Sequence, residues 1–305
     1  MKFLRRNEES KRSINSNTFL LFITIGLFAA MYIAGMIIFE DKGFAKPQMF
    51  LNLFISNAGL LVIAVGQTIV MITGGIDISV GSVTALVCMA VANQMEHHGM
   101  NAYMAVLLAL FIGVAYGVVQ GFLISYLEIQ PFIVSLAGLF FGRGLTSMIS
   151  TEMISIKNKT FLAWANYKIY LPIGSYSRRG KFLPAYIYPT VIIALLIVII
   201  VAVIMKYTKF GREVYAVGGN AQSAMMMGLN VRKTKFKAYL LNGLLAGCGG
   251  FLFCLNSCSG FVEQAKGLEM DAISASVIGG TLLSGGVGTP LGNLDINFRV
   301  LRALR

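Results

Sequence analysis

FLNLFISNAGLLVIAVGQTIVMITGGIDISVGSVTALVCMAVANQM, residues 50–95, places a carboxylate, Asp77, directly behind a Gly pair and between two apolar segments. The first segment, 50 to 72, is close to the roughly 20 residues that cross a hydrocarbon core of about 30 Å. A charge at membrane depth is costly and usually functional. The glycines let the helix break, and the freed amides and carbonyls must then meet protein, water or ligand. A second reading stays open, a cytoplasmic turn in which Asp77 and Ser79 cap the next helix.

Outward from this break the same pattern repeats. Apolar runs at Phe19–Phe39, 50 to 72, 81 to 95, 102 to 126, 131 to 150, 186 to 206, 238 to 258 and 271 to 290 predict about eight spans in an all-α, polytopic transmembrane bundle. Gly and Ser dilute the third and eighth, so either can be broken or re-entrant. Composition agrees: 56% of the residues are hydrophobic and 12% charged, against roughly 25% charged in a soluble domain, and mean hydropathy is +0.74. Much of the surface therefore has the bilayer as its solvent.

The net charge of +12 sits between apolar blocks rather than among aromatics on one face, so nucleic acid is not expected as a partner, whereas membrane lipid is. Residues 1–17, a polar tail with Lys2, Arg5, Arg6, Lys11 and Arg12, precede a run too long for a cleavable signal, which predicts a cytoplasmic amino terminus. Alternating the spans puts the loop at about 207–237 inside, rich in Lys and Arg. An outer loop at 151–185 is also basic, so the asymmetry is modest. No linker separates soluble domains, and residues 18–293 form one membrane domain.

Catalytic and metal signatures are missing. There is no phosphate loop of the GxxxxGK[ST] type, no HExxH and no GxSxG elbow, and the adjacent His97 and His98 lack further ligands. Cys88, Cys248, Cys254 and Cys258 fall in apolar stretches without CxxC spacing, which predicts buried free thiols. No metal or cofactor is expected on this chain. Arg143 is the one basic residue well inside a span and either faces the bundle interior or snorkels.

Residues 211–231, GREVYAVGGNAQSAMMMGLNV, read as a loop opening on glycines, then a short helix from about Ala221 to Met227 between Asn220 and Gly228. With Met225, Met226 and Met227 exposed, it would be a docking element or a helix lying on the membrane surface. Gly74-Gly75, Ser79 and Gly81 are echoed at identical spacing by Gly279-Gly280, Ser284 and Gly286. The echo reads either as an internal transporter repeat or as small residues where helices pack closely.

TGGIDISVGS (73–82), QPFIVSLAGLFFGRGLT (130–146), FGREVYAVGGNAQSAMMMGLNV (210–231) and MDAISASVIGGTLLSGGVGTPLGN (270–293) together resemble the permease family of bacterial carbohydrate ABC importers, the ribose, xylose and galactofuranose type. LAGLFFGRG and IGGTLLSGGVGT are most similar to a galactofuranose permease. The resemblance implies a bundle of about ten helices in the bacterial inner membrane and transport rather than enzymatic activity. It also implies a second permease subunit, an ABC ATPase partner that holds ATP and Mg, and an extracytoplasmic sugar-binding protein. Residues Gly218, Gly219, Asn220, Ala221, Ala224, Met226, Gly228 and Leu229 would form the ATPase coupling element. Asn57, Gln67, Asp77, Ser79, Arg143 and Ser284 are candidates for the substrate path.

After Asn293 the chain reads LDINFRVLRALR (294–305), off the family pattern, which predicts a truncated or frame-shifted carboxyl terminus. The alternative function is an ion-coupled secondary transporter with Asp77 as its coupling carboxylate. The capped short helix in a basic loop weighs against it, since such a carrier needs no motor.

Overall fold

The computed structural model describes residues 26, 30–39, 44, 46–176 and 182–292. The tail at 1–17, about half of the run Phe19–Phe39 and the stretch 294–305 lie outside the described residues, although 30–38 is helical.

The ten bounded helices are α1 (Pro47–Ile72), α2 (Val80–His97), α3 (Ala102–Ser125), α4 (Pro131–Ile149), α5 (Lys159–Asn166), α6 (Pro189–Tyr207), α7 (Lys209–Gly219), α8 (Ala221–Met226), α9 (Val231–Ser257) and α10 (Leu268–Ile278). Three long ones, α1, α4 and α6, begin on Pro, whose missing N–H is unpaired at a helix start in any case. α3 is capped by Asn101, whose side chain accepts from Met104 N at 2.9 Å.

Five helices, α1, α3, α4, α6 and α9, are long and apolar enough to cross a membrane. The expectation of eight spans is thus not met in full among the described residues. The segment 81–95 is helical, but 14 of the 18 residues of α2 are buried in protein. The segment 271–290 is not one helix: α10 stops at Ile278 and turns follow. Gly and Ser supply too little apolar bulk there to favour a continuous lipid-facing helix.

The fold is not wholly helical. The loop 151–185 carries α5 and an antiparallel hairpin of β2 (Ile169–Tyr176) with β3 (Phe182–Ile187), in which Tyr170 pairs with Tyr186. β1 (Ile154–Ser155) pairs with β4 (Ser259–Gly260). Tyr, Ile, Leu and Phe in these short runs suit a half-buried pleated surface.

α9 is the central post, about 40 Å long at 1.5 Å per residue, and packs most extensively against α3 and α1. Its glycines explain the closeness. A Cβ at Gly243 would overlap the carbonyl of Gly113, and one at Gly249 would lie 2.8 Å from the carbonyl of Gly59. Backbones meet directly, as where lipid provides no hydrophobic drive between helices. Outward, α3, α4 and α6 expose Leu107, Phe111, Phe140, Phe141, Leu196 and Ile199, a surface that water would penalise and lipid does not. Cys88 and Cys254 are buried and Cys248 and Cys258 partly so, all four with free thiols.

Candidate functional site

Four helices converge on the break between α1 and α2. α1 ends at Thr73, and Gly74 turns the chain at a φ of +79°, a conformation that only Gly adopts without strain. Asp77 follows, 3% exposed. One carboxylate oxygen accepts from Ser79 N at 2.8 Å and from the Ser79 hydroxyl at 2.6 Å. The other accepts from Asn242 Nδ2 of α9 at 2.7 Å. Gln120 of α3 donates to Ser79 Oγ at 2.8 Å. The fully buried Gln67 amide of α1, in the orientation that satisfies both partners, donates to Asp77 O at 2.9 Å and accepts from Asp77 N at 3.2 Å.

Asp77 bonds Ser79, the residue before α2, but no side chain caps α2, and it also reaches across the bundle to α9. Among the described residues no cation pairs with it. Three hydrogen bonds to a charged acceptor, each worth about 1.5–3 kcal/mol, oppose a desolvation cost of several kcal/mol. Asn242 lies 11 residues into α9, about 16 Å from its start, so the cluster sits deep within the bundle. Asn242 Oδ1 and the hydroxyl of Tyr239, which presses on Gly75, are buried without a partner.

The six residues singled out for a substrate path divide into two groups. Gln67, Asp77 and Ser79 meet in this cluster. Asn57 bonds its own helix, donating to Leu53 O at 2.7 Å, and Ser284 is exposed in the turn region after α10. Arg143 is half-buried and points inward, donating to Val262 O at 2.8 Å and Gln264 O at 2.7 Å. It therefore holds the irregular stretch between α9 and α10. Gln120, Asn242 and Gln264 escaped the sequence reading because each stands alone in its own segment. Amide residues within apolar runs were the available signal.

The glycine-led stretch before the short helix is itself helical, not a loop, since α7 runs through Gly218 and Gly219. Asn220 caps α8, its side chain accepting from Ser223 N at 2.8 Å. Gly228, at a φ of +80°, ends the turn, and Leu229 N closes it by donating to Ala224 O at 3.1 Å. Ala224 is fully buried, while Met225, Met226 and Met227 are 62%, 81% and 69% exposed.

This element abuts the α1 terminus through backbone alone. A Cβ at Gly218 would overlap Ile72 O and lie 2.7 Å from Gly286 N, whereas one at Gly219 meets nothing. Gly286 N donates to Ile72 O at 2.8 Å, and Tyr215 donates to Gly288 O at 2.8 Å. Three chain segments, ending respectively in α8, in the Asp77 break and in the turns after α10, thus share one contact. The echoed motifs meet here rather than forming equivalent units. Gly74 is left-handed in the first copy and Gly280 in the second, and the first leads into a helix at Val80 whereas turns and irregular chain follow the second as far as Leu291.

Comparison with known proteins places this arrangement in a family. The family model described as branched-chain amino acid transport system / permease component matches residues 49–294. The inner membrane ABC transporter permease protein YjfF of Escherichia coli (strain K12) is 39% identical over 276 residues, covering 90% of this chain and 79% of that protein. The fructose import permease protein FruG of Bifidobacterium longum (strain NCC 2705) is 34% identical over 269 residues, 88% of this chain and 77% of its own. The ribose import permease protein RbsC of Escherichia coli (strain K12) is 33% identical over 282 residues, 89% and 83%. No solved structure matches the chain. The chain belongs to this ABC transporter permease family and is a multi-pass membrane component of an import system. An ion-driven carrier is not favoured.

Proposed function

We propose that this chain is the membrane-spanning subunit through which an ABC importer moves a monosaccharide across the bacterial inner membrane, with galactofuranose as the leading candidate. Relatives matched over about nine-tenths of the chain and named for fructose and ribose import support a sugar over the amino acids in the family description. The phrases LAGLFFGRG and IGGTLLSGGVGT support galactofuranose. ATP and Mg belong to a partner ATPase, and a second permease subunit and an extracytoplasmic sugar-binding protein complete the assembly. The amino terminus is cytoplasmic.

The observation that carries the coupling role is the contact between Gly218 and the carbonyl that ends α1. α8, capped at both ends and presenting three methionines, seats in the ATPase. Displacing it shifts Ile72, five residues before Asp77, and the buried polar cluster changes its arrangement as access alternates. Gln67, Asp77 and Ser79, with Gln120 and Asn242, form the polar part of the path or the hinge beside it.

Two measurements test this. Uptake of labelled galactofuranose, ribose, fructose and leucine is compared in cells with and without the chain. Loss of one monosaccharide with leucine uptake intact is expected, and loss of leucine uptake alone overturns the sugar reading. Met226→Glu in the purified complex is expected to uncouple ATP hydrolysis from delivery. Hydrolysis still stimulated by loaded binding protein would place docking elsewhere.

A further inference from the structure

We propose that the cavity between the starts of α7 and α9 binds the phosphate-bearing headgroup of an anionic lipid. The cavity encloses about 360 Å³ and is walled by Lys209 and Glu213 of α7 and by Lys233, Thr234 and Lys237 of α9. Three lysines thus face one carboxylate, an excess of two positive charges. The Thr234 hydroxyl lies 3.3 Å from Glu213 Oε2 and 3.0 Å from Asn230 O, its two alternative acceptors. Among the described residues none of the three lysines has an ion-pair partner, the only two pairs being Arg232–Glu128 and Lys266–Glu263. A cavity of unneutralised ammonium groups stabilises a phosphate more than a neutral guest.

Depth selects the source of that phosphate. Lys237 immediately precedes Ala238 and Tyr239, both buried, and Leu240 and Leu241 of the apolar stretch of α9. Lys209 stands two residues past Tyr207, the end of the apolar α6. Both walls therefore lie where their helices leave the apolar zone, the level of lipid headgroups. Phe210 and Leu229 also line the cavity, an apolar margin suited to the start of the acyl region. The lysine-rich end faces the cytoplasm by the positive-inside rule, and anionic lipid in that leaflet attracts such residues. A carboxylate of a docked protein is the competing occupant. The cavity also borders the coupling element through Gly228, Leu229 and Asn230, but Lys237 lies about 9 Å further along α9 from Val231, towards the apolar part of that helix, which favours the lipid.

The site is independent of which solute is carried. The test titrates the full chain, extracted in mild detergent, with fluorescent phosphatidylglycerol, using phosphatidylcholine of the same chains as reference. Saturable binding of phosphatidylglycerol is expected. It should weaken about a hundredfold, on the order of the loss of three such contacts, in the Lys209→Gln/Lys233→Gln/Lys237→Gln variant, and stay near wild type when the same lysines become Arg. If the triple variant fails to elute as a folded species, Lys237→Gln alone should weaken binding about fivefold. Displacement by millimolar inorganic phosphate upholds the phosphate site with a soluble source; no displacement upholds the lipid. Equal binding of the two lipids, or unaltered phosphatidylglycerol binding by the Gln variants, overturns the proposal. Lost ATPase co-purification with lipid binding intact does so too, in favour of a protein partner.

Discussion

Two glycine-pair breaks share the spacing Gly-Gly, Ser, Gly, yet they end in opposite surroundings. After Gly74-Gly75 the chain buries Asp77 and Ser79 and enters a helix whose residues are mostly buried. After Gly279-Gly280 it makes turns, with Leu282 45% and Leu283 51% exposed and Ser284 also exposed. The difference lies in what other helices bring. Gln67, Gln120 and Asn242 arrive from three helices to bond the residues of the first break, whereas the second is held mainly through its backbone, Gly286 N donating to Ile72 O and Gly288 O accepting from Tyr215. Spacing permits a break, and long-range polar partners determine whether it becomes an ordered site.

Removing the carboxylate should give the largest effect. Asp77→Leu orphans the buried Asn242 amide and Ser79 hydroxyl at about 1–3 kcal/mol each, so membrane abundance and thermal stability in detergent should fall sharply. Asp77→Asn should fold, because Asn242 can turn its unpartnered Oδ1 toward the new amide, yet lower uptake at unchanged abundance. Wild-type uptake in Asp77→Asn would reduce Asp77 to a structural clamp.

Next is the contact that joins the two breaks. Gly218→Val forces side-chain atoms against Ile72 O and Gly286 N, overpacking that costs about 1–3 kcal/mol, while Gly219→Ala meets open space. ATPase stimulation by loaded binding protein should drop for the first and persist for the second. Equal behaviour would break the proposed linkage.

Smaller again is Asn220→Ala, which removes the cap of α8 at about 1 kcal/mol. Protease protection of residues 219–229 should decrease while the bundle keeps its melting temperature. Smallest is Ser284→Ala in the exposed second break, expected within about 0.5 kcal/mol of wild type. A larger shift in thermal stability would mean that the second break is covered in the assembled transporter.

Composition and hydropathy alone determined that this chain lives in lipid, because apolar content on this scale has no soluble solution. Local punctuation was equally legible. Asn220 and Gly228 bound α8 within a residue of the expected ends, since caps satisfy backbone groups by contacts only a few residues away. The break at Gly74-Gly75 was read from residues whose backbone requirements are likewise local. Span number was not legible in the same way. The segments 81–95 and 271–290 carry enough apolar residues to suggest crossing, but Gly, Ser and other polar residues dilute them, and among the described residues neither forms a helix long and apolar enough to span. Only the tertiary structure decided that Asn242, 165 positions from Asp77, completes the carboxylate's hydrogen bonds. It also decided that Gly218 rests on Ile72 and that Arg143 turns inward to two loop carbonyls. Each depends on which helix faces which at close range, and a residue's own neighbours in the chain carry no record of that.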